Sequence, residues 1–164
     1  MFALPVYRLK LVRDGTLCLP RVRVAGPMRA ARIISEFIGD ADRETLVALF
    51  LEGEQIPTGI QVISVGTLDS LETTAREVFK GAMLANAEGI ILGHNHPSRG
   101  LEPSDEDVSM TKGLIEAGII VGIKVWDHVI VGPSGRFVSL RKRGLLKPDA
   151  IADLIENTKP RTDP

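Results

Sequence analysis

Apolar residues along this chain switch between helical and strand spacing, and the switches mark its elements. Between residues 28 and 38 they fall at Ala30, Ile33, Ile34, Phe37 and Ile38. That is one face of a helix, and Gly39 follows as a stop. Residues 45–51 form a compact apolar run that predicts a buried strand. Residues 53–59 turn the chain, and 60–65 alternate as the next strand, a candidate hairpin partner. Thr73 or Thr74 then caps a helix with an inward stripe of Ala75, Val78, Phe79, Ala82 and Met83. Residues 89–92 predict a short strand, and a helix runs from Ser104 to about Ala117. Further strands are predicted over 119–125, 129–131 and 137–140, with Pro133-Ser134-Gly135 as a turn. Ahead of these elements, 6–12 and 16–24 flank Arg13-Asp14-Gly15, a hairpin signal in which Pro20 suggests an edge strand or bulge.

Strands alternating with helices predict an α/β (α+β) fold, one mixed or mainly antiparallel sheet with helices on its faces. The expected organisation is a β-hairpin extension at 1–27, a domain at 28–141 and a tail at 142–164. The tail is expected to hold a short helix at 149–156 and to end in eight disordered residues.

Composition narrows this reading. A length of 164 residues fits one domain with short extensions. The chain is 44% hydrophobic but 4% aromatic, so its core is built mainly of Ile, Leu, Val and Ala. Cys18 is the sole cysteine, which excludes an intrachain disulfide and suits a reducing cytoplasm. No signal-peptide pattern and no apolar run near the roughly 20 residues that span a bilayer is present, so a cytoplasmic protein without a membrane partner is expected. Overall charge is balanced, but its distribution is not. Residues 1–35 carry seven basic side chains against Asp14 alone, while 36–116 carry fifteen acids against five bases. Arginines on exposed faces account for this; a homodimer or a nucleic-acid contact is the alternative.

The densest chemistry lies at His94-Asn95-His96-Pro97, followed by Pro103-Ser104-Asp105-Glu106-Asp107. In an extended segment, residues two apart point the same way, so His94 and His96 can aim at one point. Pro97 keeps the exit extended. Ser104 as N-cap places Asp107 at the third helical position, where the helix dipole favours a carboxylate by roughly 0.3–1 kcal/mol. Two imidazoles and a carboxylate suit a divalent metal, with Zn2+ favoured for mixed nitrogen and oxygen donors. Three protein ligands leave a fourth position open, the pattern of a catalytic zinc site. Hydrolysis also needs a base, and Glu44, Glu52, Glu54 and Glu77 are the candidates.

These segments resemble the JAB/MPN domain with its JAMM metalloprotease signature: a glutamate, His-x-His, seven residues, then Ser-x-x-Asp. Seven residues separate His96 from Ser104 here. The closer resemblance is to the RadC-like bacterial branch, with Glu44–Leu51, Ser64-Val65-Gly66-Thr67, Arg76–Lys80, Asn86-Ala87 and Asp127–Gly132 in matching order over roughly 28–141. The resemblance implies a zinc-dependent metallopeptidase acting on a peptide or isopeptide bond in a protein or peptide substrate. His94, His96 and Asp107 would be the metal ligands, Glu44 the general base, and Ser104 a hydrogen-bond donor to the oxyanion.

Two features depart from that pattern. Arg99 stands where RadC-like sequences usually have Gly, and the longer RadC proteins carry an N-terminal helix-hairpin-helix region for which the first 27 residues leave no room. Asp127-His128 could line the cleft or support a ligand from behind, or be an ordinary strand-turn pair. The alternative function is a non-catalytic binding module for DNA repair or protein partners, suggested by the basic N-terminal residues and Arg141-Lys142-Arg143.

Overall fold

The computed structural model describes residues 3–20, 22–66, 73–97 and 100–146. Its element order is α1 (Pro27–Ile38), β1 (Thr45–Glu52), β2 (Ile56–Val65), α2 (Ala75–Leu84), β3 (Gly89–Asn95), α3 (Asp105–Val121), β4 (Lys124–Val131) and β5 (Phe137–Ser139), with a short 3-10 turn at Pro133–Gly135. The five strands form one sheet in the order β2-β1-β3-β4-β5. Only β3 and β4 run parallel, joined through α3; the other neighbours are antiparallel. The mixed sheet with helices on both faces is the one the sequence predicts.

The alternation of each strand divides the core in two. Val47, Leu49, Leu51, Ile91, Val129 and Val131 face α1 and its buried Ala30, Ile33, Ile34 and Ile38. Ala48, Phe50, Ile90, Leu92 and Ile130 face α2 and α3, packing on Val78, Phe79, Ala82, Leu114 and Ile115. Strands β1 and β3 are buried on both faces, which is why they read as unbroken apolar runs. Gly93 lets α1 approach: a Cβ there would stand 2.6 Å from the Ile34 side chain. Strand β4 carries a bulge at Trp126, since Ile90 pairs with Val125 and Ile91 with Asp127. The extra residue lets Val125 and His128, an odd number of residues apart, face the same side.

Several expectations need correction. No strand forms among the described residues of 3–25, so the hairpin is absent there. Its arms lie largely in solvent, and an isolated two-stranded hairpin is marginal at best. Strand β3 runs on to Asn95, so His94 lies inside the strand and not past its end. Residues 119–121 belong to the last turns of α3, which Gly122 ends in the left-handed conformation (φ 74°). What reads as two strands at 119–125 and 129–131 is the single strand β4. Strand β2 begins at Ile56, four residues early, and the chain reverses over Gly53–Gln55. Met83, placed on the inner stripe of α2, is about half exposed. Thr74 is the N-cap of α2 by position, without a side-chain capping bond. The helix and disordered end expected in the tail, and Arg99, lie outside the described residues. Among the described residues, no helix is long and apolar enough to cross a membrane.

Candidate metal centre

The site forms where the C-terminal end of β3 meets the N-terminus of α3. His94 is paired with Leu46 of β1 and Ile130 of β4 and is fully buried. It shares the parity of Ile90 and Leu92, so its ring faces α3. His96 follows one residue beyond the strand, and its backbone N–H donates to the Val131 carbonyl at 3.1 Å. The two rings are tilted by 56°, with His94 Nε2 2.9 Å from His96 Nε2.

Helix α3 delivers the carboxylate. Ser104 Oγ accepts the Asp107 N–H at 3.1 Å, and Asp107 Oδ2 accepts the Ser104 N–H at 2.8 Å, a reciprocal capping box. The Ser104 hydroxyl also donates to Asp107 Oδ2 at 2.8 Å. One carboxylate oxygen is thus given to the helix start, while Oδ1 lies 3.4 Å from His94 Nε2. Capping and site-facing roles coexist in one side chain.

Glu44 arrives from the other side, just ahead of β1. Its Oε1 lies 3.7 Å from His94 Nε2 and 3.9 Å from His96 Nε2. Donor atoms of Glu44, His94 and His96 all lie within 4.8 Å of one another. The other glutamates are elsewhere. Glu52 ends β1 at the opposite end of that strand, Glu54 lies in the turn beyond it, and Glu77 pairs with Lys80 at 2.7 Å on the exposed side of α2. Asn95 holds the backbone on either side of Glu44, whose own carbonyl accepts the Gly66 N–H at 2.8 Å. The Asn95 Oδ1 accepts the Thr45 N–H at 2.8 Å, and its Nδ2 donates to the carbonyls of Ala41 (3.1 Å) and Arg43 (3.0 Å). The sequence reading passes over Asn95, whose only signal is its position between the two histidines.

His128 is the second addition. It is fully buried on β4, with Nε2 2.7 Å from His94 Nδ1 and Nδ1 2.6 Å from Thr111 Oγ1. Its bonds go to side chains, so it backs His94 directly and is not satisfied by backbone. Burial pushes its pKa down to about 3, helped by the nearby His96 ring. Burial, then the His128 ring, also hold His94 well below the usual histidine range against the opposing pull of Asp107. Neighbouring Asp127 points elsewhere: it accepts the His128 and Arg141 N–H groups and the Ser139 hydroxyl, and burial raises its pKa. The basic run beyond it is drawn into local contacts, Arg141 donating to the Trp126 carbonyl at 3.1 Å and Arg143 pairing with Glu102.

The donor set fits a metal ion. His96 Nδ1 faces the Gly100 carbonyl at 2.8 Å, and a carbonyl only accepts. Neutral His96 therefore carries its hydrogen on Nδ1 and presents a bare Nε2. That lone pair and the oxygens of two carboxylates converge on His94 Nε2 with separations of 2.9–3.7 Å. Metal bonds near 2.0–2.2 Å in a tetrahedron set donors about 3.3 Å apart, inside this range. A cation is what such a cluster of acceptors calls for. Beside His96 opens a cleft of about 250 Å³, with Asp40, Asp42, Asn95, Pro97 and Pro133 in its walls. Of Glu44, His94, His96 and Asp107, His96 alone lines this cleft, and a larger one of about 350 Å³, against Trp126 and Arg141, includes none of the four.

Known proteins resemble this chain over most of its length. The family model described as the RadC-like JAB domain matches residues 24–145. A UPF0758 protein of Desulforamulus reducens is 43% identical over 126 residues, covering 77% of this chain and 55% of that protein. A UPF0758 protein of Desulforudis audaxviator is 44% identical over 126 residues, covering 77% and 54%. One from Roseiflexus castenholzii is 38% identical over 148 residues, covering 89% and 62%. The chain thus spans somewhat more than half the length of these relatives.

Proposed function

We propose, for a chain that belongs to the RadC-like JAB domain family, that this site is a zinc-dependent hydrolase centre acting on a peptide or isopeptide bond. The observation that carries the reading is the buried convergence of His96 Nε2 with the Glu44 and Asp107 carboxylates on His94. His94, His96 and Asp107 Oδ1 would hold the ion. Bound there, Zn2+ supplies Lewis acidity to a substrate carbonyl and makes hydrolysis by water feasible at neutral pH.

The chain's own residues do the rest. Glu44 is the general base: it takes a proton from the attacking water as the new C–O bond forms. It then passes that proton to the amine nitrogen as the C–N bond breaks, leaving a carboxylate and an amine. Asn95 keeps Glu44 at working distance by pinning the backbone on either side of it. Ser104 fixes Asp107, and its hydroxyl would reach an oxyanion by rotating off that carboxylate. The cleft beside His96 is where a protein or peptide substrate would lie.

The test is metal content by elemental analysis, wild type beside His96→Ala, then a peptide-library screen with Glu44→Gln as control. About one zinc per chain, lost in His96→Ala, and hydrolysis lost in a zinc-loaded Glu44→Gln protein are the expected results. Absence of zinc in wild type purified without chelators and supplied with the metal would sink the reading.

A further inference from the structure

His128 and Thr111 lie behind the site, and their hydrogen bonds can run in only one direction. Thr111 Oγ1 is 2.6 Å from the Asp107 backbone carbonyl and 2.6 Å from His128 Nδ1. The hydroxyl has one hydrogen. The carbonyl can only accept, so that hydrogen goes to Asp107, and the hydroxyl must accept from His128 Nδ1. The opposite assignment would set two lone pairs against each other at 2.6 Å in a buried place. As a neutral imidazole, His128 has then spent its one hydrogen on Nδ1 and has a bare Nε2. That nitrogen is 2.7 Å from His94 Nδ1, which must donate to it. The remaining nitrogen of His94, Nε2, is bare, and it is the one that faces His96, Glu44 and Asp107.

We infer that His128 and Thr111 are positioning residues that fix His94 as its Nδ1–H tautomer and so commit its Nε2 to the metal. This rests on the metal reading proposed above. The chain of donors starts at one ligand, His94, and ends on the backbone carbonyl of another, Asp107, so the two ligands share one set of supports. Direction is set by an acceptor that cannot reverse, much as a carbonyl behind a ligating imidazole orders its proton. His96 has the same arrangement through Gly100, with the carbonyl in direct contact. His94 reaches its carbonyl through two intermediaries.

The experiment measures zinc affinity by chelator competition for wild type, Thr111→Val and Thr111→Ser, and reads the histidine tautomers of wild type by nitrogen-15 NMR. Valine keeps the volume but removes the acceptor for His128 Nδ1–H. The expected result is zinc binding about 10–100-fold weaker in Thr111→Val, with wild-type affinity restored in Thr111→Ser. Zinc-loaded wild type should show hydrogen on Nδ1 of both His94 and His128. A folded Thr111→Val protein that binds zinc like wild type, or a His128 protonated on Nε2, overturns the inference. The NMR measurement needs no variant and stands even if Thr111→Val does not fold. Failure of wild type itself to bind zinc would instead overturn the metal reading, and this inference with it.

Discussion

Asn95 takes the amide hydrogen of Thr45 at 2.8 Å across 50 residues of sequence. That bond joins the strand carrying His94 to the residue immediately after Glu44, so the imidazoles and the carboxylate are set by one piece of backbone geometry. Because Asn95 points to the α1 side of the sheet while His94 points to the α3 side, a single dipeptide organises both.

Asn95→Ala removes one acceptor and two donors from the 41–45 segment and leaves the buried Thr45 N–H without its partner. A loss of about 1–3 kcal/mol in unfolding free energy is expected, measured by denaturant titration. Zinc affinity should change less than hydrolysis, because the proposed ligands His94, His96 and Asp107 do not depend on that segment. Equal losses in both would argue against Asn95 as the support of Glu44.

Gly93→Ala places a methyl 2.6 Å from the Ile34 side chain, against a helix already packed on the sheet. Overpacking of this kind costs about 1–3 kcal/mol. The double variant Gly93→Ala with Ile34→Val should recover part of that loss in thermal unfolding. No recovery would place the strain at the two Ile34 Cγ atoms, 2.8 and 3.0 Å away, that valine retains.

Ser104→Ala removes the N-cap acceptor and the hydroxyl that holds Asp107 Oδ2. The stability cost should be about 1 kcal/mol. Zinc affinity should fall as well, because Asp107 loses one of the two bonds that orient it. Ser104→Thr should retain most of both, read by melting temperature and chelator competition.

Metal-free protein should lose stability on the acid side. The folded-state pKa of His128 is depressed to about 3, and that of His94 lies well below its ordinary 6.5. Between pH 6.5 and about 3 the unfolded chain binds protons that the folded chain refuses, so stability falls as pH falls through that window. Above pH 6.5 these groups contribute no slope. Each histidine adds about 1.4 kcal/mol per pH unit at full effect. Asp127 works the other way: its raised pKa favours the folded state at acid pH and loses that contribution as pH rises through the folded value. Denaturant titrations from pH 7 to 4 in chelator should show the net fall, and a flat profile would contradict the buried neutral histidines.

Which parts of this were legible in the sequence follows from how local each signal is. His94, His96, Ser104 and Asp107 sit within fourteen residues, and strand and capping geometry bring them together. Glu44 could not be separated from Glu77 by spacing, because its placement depends on the antiparallel pairing of β1 with β3. His128 lies 34 residues from His94 and is brought beside it by the parallel pairing of β3 and β4, a relation without a local pattern. The run Ile119-Ile120-Val121 has strand-like side chains, yet it continues α3. There, Gly118 lets the helix sit against Phe79 and the Ile123 carbonyl, and Gly122 supplies the left-handed stop. Packing overrode propensity, and the glycine marked the boundary. At the N-terminus the opposite held: alternation and Asp14-Gly15 suggest a hairpin, but no core covers residues 3–16.

The bulge at Trp126 makes the length of β4 as critical as its composition. Removing one residue between Val125 and His128 would reverse the parity between them. Either Val125 would leave the α2–α3 core, or His128 would turn to the α1 face and His94 would lose the ring behind it. Variation in this strand should therefore proceed by substitution, with single-residue insertions and deletions confined to the turn after Val131.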